Sequence, residues 1–455
     1  MSRWLAGVAL AASLAASTAS AQVKIRYEEY TLPNGLRVLL AEDHSTPVVT
    51  VDVWYRVGSR DEQQGHTGFA HMFEQLMFHG SEHVADGQHY RLVDAAGGEV
   101  TANANEERSA FSETLPSNQL ALGLWLEADR MRSLKINEQV FEGQKQQAQQ
   151  ERQMRVDNQP YGAAFLDGLT AAFDATACFG YSHSVLGFPE DLENAQASDA
   201  EAFFKAHYVP NRATLTLTGD FDPAEAKRLV QSYFGDVPKG TTAVPDAACK
   251  TDYAAGEKSN QMVDALAQTP AVILSYRVPP HADPDSRALQ LLASILGQGE
   301  GSRLRHSLVQ EQKVASQATA GIEMRQGPGL LYAYAIASPG TSPDAARKAL
   351  GSQIGRLSTD LTKAEVDRAK VQLRATTYMG RQTTYQLAED LQHFASQHQS
   401  VEEINTDLDR YAALTVEDLK RAAAKYLTAA NTNVLVVNPA SGGDRGDGHS
   451  HGAGQ

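Results

Sequence analysis

The sequence is poor in cysteine, in basic charge and, beyond its first residues, in long apolar runs. Cys178 and Cys249 are the only cysteines among 455 residues. No metal-like spacing surrounds them, which argues against a shared zinc site. In an oxidising compartment the two are free to pair, but sequence alone does not bring their Cα atoms together. The formal net charge is −15. Binding to a nucleic-acid backbone needs clustered Lys and Arg, so nucleic acid is excluded as the main partner. No stretch after the N-terminus is long enough to span a bilayer, and no stable membrane anchor is expected. With 42% hydrophobic and 21% charged residues, the chain has the proportions of a soluble globular protein.

The first residues read MSRWLAGVALAASLAASTASAQ. Arg3 supplies a positive start, Trp4 to Ala16 an apolar core, and Ala19-Ser20-Ala21 a small-residue cleavage site. Residues 1–21 are therefore expected to be a signal peptide removed after Ala21. Gln22 follows, not the cysteine of a lipoprotein, so an exported, periplasmic protein is expected. The last residues, 441–455, are glycine-rich and polar and read as a disordered tail, in which His449 and His451 are solvated.

What is present is a repeat. Tyr-Arg-Val occurs at 55–57 and again at 276–278, each time between an apolar strand pattern and a helical one. Tyr208 and Tyr426 each follow a helical pattern and precede a strand, at nearly the same offset. Two matches at one offset predict an internal duplication. Strands are expected in TLPNGLRVLLAED, PVVTVDVWYRV and ATLTLTG. Helices are expected at 68–78, 119–132 and 138–155, then near 286–296, 343–357, 363–372 and 416–426. The class is α+β or α/β. A segment low in apolar periodicity divides the halves, giving domains at 22–240 and 261–440 with a linker at 241–260.

The chemistry gathers in GFAHMFEQLMF, residues 68–78. On a helix, His71, Glu74 and Gln75 stand at i, i+3 and i+4 and share a face. Phe69, Phe73, Leu76 and Met77 supply an apolar face for a core. Zinc takes nitrogen, sulfur and carboxylate-oxygen ligands, and a catalytic site keeps one position open for water. A histidine and a carboxylate on one helical turn offer part of such a set. Taken alone the pattern is weak, because a histidine on an amphipathic helix is more often just packed and hydrogen-bonded.

The stretch GFAHMFEQLMFHGSEHV resembles the H-x-x-E-H helix of the pitrilysin/insulinase family of zinc metallopeptidases, the inverzincins. The resemblance continues through TANANEERSAFSETLPSNQLALGLWLEADRM, QQERQMRVDNQPYG, YSHSVLGFPEDL and LGQGEGSRLRHSLVQEQKVA. It runs from about residue 25 to 440. It implies an α+β fold of two homologous, duplicated domains, the first carrying the metal motif and the second lacking it. By resemblance the family's first histidine ligand falls on His71 and its water-activating glutamate, the catalytic base, on Glu74. Its second histidine ligand falls on Gln75, where the pattern fails. Its third ligand, a glutamate on a later helix, falls on Glu151, and a supporting glutamate two turns earlier falls on Gln144, a second departure. The family binds extended peptide on an edge strand, which matches TANANEERSAF, with Asn103 and Ala104 nearest the scissile bond. His183 and Arg303 also lie in family motifs and read as structural.

A glutamine amide is a poorer zinc ligand than imidazole, so zinc binding is expected to be weak or lost. His79 is no replacement if the helix continues, since it would lie about 12 Å along the axis from His71 at roughly 1.5 Å per residue. The sequence leaves three readings. One is a non-catalytic or weakened subunit that binds peptide and completes the chamber of an active partner. It would form a homo- or hetero-dimer with a family member carrying an intact motif. Another is an autonomous zinc metalloendopeptidase with Glu74 as general base. The third is a peptide-binding scaffold.

Overall fold

The computed structural model describes residues 24–440 apart from 244–248, 250–251, 254 and 398–399. The expected signal peptide and tail lie outside the described residues, as does part of the expected linker. Eleven strands are described: β1 Glu28–Thr31, β2 Arg37–Glu42, β3 Val48–Tyr55, β4 Glu99–Ala104, β5 Ser109–Pro116, β6 Ala213–Gly219, β7 Lys258–Asp264, β8 Ala271–Val278, β9 Ala315–Glu323, β10 Gly329–Ala337 and β11 Thr432–Pro439. They form a six-stranded sheet ordered β1-β2-β6-β3-β5-β4 and a five-stranded sheet ordered β7-β11-β8-β10-β9.

The two orders are the same once β1 is set aside. β2 runs parallel to β6, and β7 runs parallel to β11. The Tyr-Arg-Val triplets end β3 and β8, the central strands. Tyr208 and Tyr426 are both buried, just before β6 and β11. The duplicated α+β architecture is present, with each domain built on its own sheet. Lys258, Ser259 and Asn260, read from sequence as linker, pair with β11.

Strand β3 shows why the halves cannot be parted. Val49, Val51, Val53 and Tyr55 alternate onto the helix-covered face and enter the first core. Thr50, Asp52 and Trp54 point the other way, the pattern of a half-solvated strand. Yet that face is buried too. The helix Thr384–Gln397, from the second half of the chain, lies across it. Leu391, Phe394 and Ala395 pack on Leu39 and Ala41 of β2. Gln392 Nε2 donates to the carbonyls of Asp52 and Thr214, and the Thr50 and Thr384 hydroxyls meet at 2.8 Å.

The second sheet receives the converse. Tyr161, Ala164 and Leu169, on and beside the helix Gly162–Thr170, pack with Phe173 and Tyr181 against Ile273, Leu330, Leu435 and Val437. Gly168 allows this approach, because a Cβ there would stand 2.3 Å from Leu435 Cδ2. Cys178, in this same cluster, is disulfide-bonded to Cys249. The β4–β5 turn also docks on the β9–β10 turn. Glu107 accepts the Gln326 amide at 2.8 Å, and Arg325 Nη2 lies 2.8 Å from Glu106 Oε1.

Two expectations follow. Leu391 is fully buried, so Leu391→Ala should cost about 2–5 kcal/mol in urea unfolding and quicken amide exchange in β2 and β6, far away in sequence. Exchange confined to the second half would contradict the crossover. Second, burial first and then Arg212 hold His207 down at about 4. The unfolded chain takes up that proton near the ordinary value of about 6.5. Stability conferred by the neutral ring is therefore full above about pH 6.5 and lost as pH falls toward 4. His207→Phe should flatten the dependence of the unfolding midpoint on pH within that window.

Candidate functional site

The helix Phe69–Leu76 is amphipathic and short, and its position is fixed from both sides. Its apolar side enters an aromatic cluster: Phe69 and Phe203 rings lie 5.9 Å apart, Phe73 and Tyr208 rings 4.7 Å. Its N-terminus has free amides that need acceptors. Glu62 supplies them, accepting the Gly68 amide at 2.9 Å and the Ala70 amide at 2.8 Å. His183 Nε2 lies 3.1 Å from the same carboxylate, with both side chains fully buried. Burial raises the Glu62 carboxyl, and the hydrogen bond and charge of His183 pull against it. Gly68 takes the left-handed conformation, φ 92°, and a Cβ there would meet Leu192 at 2.7 Å.

From this fixed helix His71 reaches two carboxylates. Its Nε2 lies 3.3 Å from Glu151 Oε2 and its Nδ1 lies 3.6 Å from Glu74 Oε1. Burial opposes protonation of His71, but Glu74 and Glu151 outweigh it, and the imidazole is held above its ordinary value. Glu151, on the helix Glu138–Arg152, also pairs with Arg155 at 2.8 Å. Glu74 Oε1 accepts the Ala104 amide at 2.7 Å. Ala104 ends β4, the outer strand of the first sheet, so the edge and this carboxylate are in direct contact. Neighbouring Asn103 accepts a hydrogen bond from Arg108.

Two ligand atoms on a tetrahedral zinc at roughly 2.0–2.1 Å lie about 3.3 Å apart. The His71–Glu151 separation meets that spacing. The third corner is the difficulty. Gln75 is half-buried, and among the described residues its amide makes no hydrogen bond. It offers a neutral oxygen where imidazole is the better donor. The set fits zinc at two corners and falls short at the third.

Gln144 shares a helix with Glu151 but turns to His79, its Nε2 2.8 Å from the ring Nε2. The other ring nitrogen of His79 lies 2.7 Å from Asp86. The axial distance expected for His79 does not apply, because the helix ends at Leu76. Met77 caps it, and Gly80 takes a positive φ of 107°. His79 nevertheless does not stand in for Gln75, since both its nitrogens are engaged elsewhere. The glycine after His79 was the available signal for this end.

Arg303 forks onto Glu365 and reaches Asp360 at 2.9 Å, a structural clamp that holds the Glu365 carboxyl down to about 2. Among the described residues, His89, Glu113 and Glu127 cluster within reach of a common ion. Arg130 already sits among them, 3.3 Å from Glu113 and forked onto Glu127. The cation place in that cluster is taken by a guanidinium. Glu62 had no motif to announce it from sequence, because its role arises through space.

The comparisons agree with this architecture. Residues 37–177 match the family model "Insulinase (Peptidase family M16)", and residues 194–373 match "Peptidase M16 inactive domain". A zinc protease, PqqE, of Helicobacter pylori is 26% identical over 94% of this chain and 97% of its own length. A probable mitochondrial-processing peptidase subunit beta of Arabidopsis thaliana is 24% identical over 90% of this chain and 78% of its own. The crystal structure of a Helicobacter pylori protease superposes with a TM-score of 0.86 at 26% identity, covering 91% of this chain and all of that one. A Pseudomonas fluorescens structure described as a peptidase M16 inactive domain shares the fold, with a TM-score of 0.80 at 17% identity, covering 92% of this chain and 98% of that one.

Replacing Glu62 by Gln should cost about 1–3 kcal/mol in urea unfolding and quicken amide exchange at Gly68 and Ala70. Unchanged exchange at those two amides would show that the helix is held by its aromatic face alone.

Proposed function

The chain belongs to the insulinase family of peptidases, M16, and from that membership we propose that it serves zinc-dependent proteolysis of exported peptides as a non-catalytic or catalytically weakened subunit. It binds extended peptide along the open side of β4. It completes the chamber of a partner whose motif is intact, as a homo- or hetero-dimer. The observation that carries this reading is Gln75. The helix is held in place, the neighbouring ligand positions are filled by His71 and Glu151, and the remaining corner offers only an amide. The carboxylate that would add negative charge nearby is replaced by Gln144. Family relatives supply the process: PqqE is named a zinc protease, and the Arabidopsis relative is named a processing-peptidase subunit.

Substrate positioning on this reading belongs to the edge. The Ala104 amide donates to Glu74, so a strand added to β4 would lie beside the helix that carries His71. Backbone pairing gives affinity without demanding a particular sequence. The N-terminal pattern ending at Ala21 and the Cys178–Cys249 pairing both support export to an oxidising compartment such as the periplasm.

One observation favours a second reading, an autonomous zinc metalloendopeptidase. The His71–Glu151 spacing suits zinc, and Glu74 is retained as general base. Zinc bound by His71, Gln75 and Glu151 would supply Lewis acidity there.

A quenched unfolded peptide, incubated with and without chelator, separates the readings. The wild-type chain alone should show no chelator-sensitive cleavage. Gln75→His should gain it, by at least roughly 10–100-fold. Chelator-sensitive cleavage by the wild type would overturn the non-catalytic reading.

A further inference from the structure

Besides the turn contacts of Glu106 and Glu107, Arg108 ties the edge strand to the second half of the chain. It follows the β4–β5 turn. Its Nη1 donates to Asn103 Oδ1. Its Nη2 lies 3.6 Å from Glu389 Oε2, on the helix Thr384–Gln397. Its Cζ lies 3.9 Å from the centre of the Trp54 ring, and the Trp54 indole N–H donates to Glu389 Oε1 at 3.2 Å. Asn103, Arg108, Glu389 and Trp54 thus form one connected set across the two halves.

Asp52 is fully buried, and among the described residues neither carboxylate oxygen has a hydrogen-bond partner. Burial raises both the Asp52 and the Glu389 carboxyls above their ordinary values, and Arg108 is the cation that pulls against it. Its place is set by Glu389, the face of the Trp54 ring and the Asn103 carbonyl oxygen together.

A guanidinium has donors and no acceptor. The atom of Asn103 that faces it must be the carbonyl oxygen, which fixes the orientation of the amide. The Nδ2 group is left as the free end of Asn103, with no partner among the described residues. We propose that Arg108 is a positioning residue for the substrate strand: it locks Asn103 with its N–H donors presented, so that the edge recognises a backbone carbonyl oxygen of an extended peptide. Arg108 does not touch the peptide. The proposal rests on the reading of β4 as the peptide edge. It goes further in naming the group that Asn103 recognises and in making the second half of the chain responsible for it.

The test uses the mature chain, an unfolded peptide of mixed sequence as probe, and Arg108→Lys. Lysine keeps the positive charge beside Asp52 and Glu389 but has no fork to span Asn103 and Glu389. The unfolding midpoint should hold within a few degrees. Peptide affinity should fall about tenfold, and backbone exchange at residues 103–105 should quicken about tenfold. In a Trp125→Phe background, peptide should shift the emission of Trp54, and Arg108→Lys should abolish the shift. Glu389→Gln, which releases Arg108 from the helix, should move each readout the same way by a smaller factor, and it decides the matter if Arg108→Lys fails to fold. Wild-type exchange and wild-type affinity in the folded variants would overturn the proposal. Quickened exchange in a protein whose wild type binds no peptide would leave the positioning role standing and sink the edge-strand reading instead.

Discussion

A single buried carboxylate sets the position of the helix that carries His71, Glu74 and Gln75. Glu62 takes up two amides at the start of the Phe69–Leu76 helix, and His183 holds Glu62 from behind. The cost of burying that carboxylate is offset only because every part of the arrangement is present. With the helix fixed at its start and by its aromatic side, residues 71, 74 and 75 have little freedom to compensate for one another. The identity of the residue at 75 then decides what the site can do. Gln75, one turn on from His71, offers only a neutral amide.

The second constraint is the exchange of helices between halves. Each sheet has a face that its own half leaves uncovered, and each is covered by a helix from the other. Duplication explains why the sheets match. Exchange explains why the copies cannot drift apart, since removing either covering helix exposes apolar surface and, on the first sheet, polar backbone groups as well. The edge strand β4 sits where these constraints meet. One end touches Glu74 on the fixed helix, and Asn103 is reached by Arg108, which is itself anchored to the exchanged helix. Glu74 and the β4 edge are therefore held by both halves of the chain.

Much of this was legible in the sequence. The Tyr-Arg-Val triplets and the two tyrosines announced matching sheets, because central strands and the turns before them keep their residues when a domain is copied. The helices at 68–78 and 119–132 were readable from apolar spacing, and His71, Glu74 and Glu151 do come together. Three things were not readable. The Thr384–Gln397 helix has an ordinary amphipathic pattern, and periodicity does not say which sheet a helix will cover. The alternation of β3 does not reveal that its polar face is covered, because the cover lies more than three hundred residues away. Glu62, in a loop without a motif, gains its role only through space. The premise of a continuing helix past Leu76 failed for a local reason, a glycine at 80 that takes a positive φ.

The account stands on the third corner of the His71–Glu151 site. The most direct measurement is the zinc content of the wild-type mature chain, equilibrated with a small excess of zinc, freed of unbound metal and read by atomic emission. The account predicts far less than one zinc per chain. One tightly held zinc per chain, lost when His71 is replaced by alanine, would contradict it and make Gln75 a working ligand.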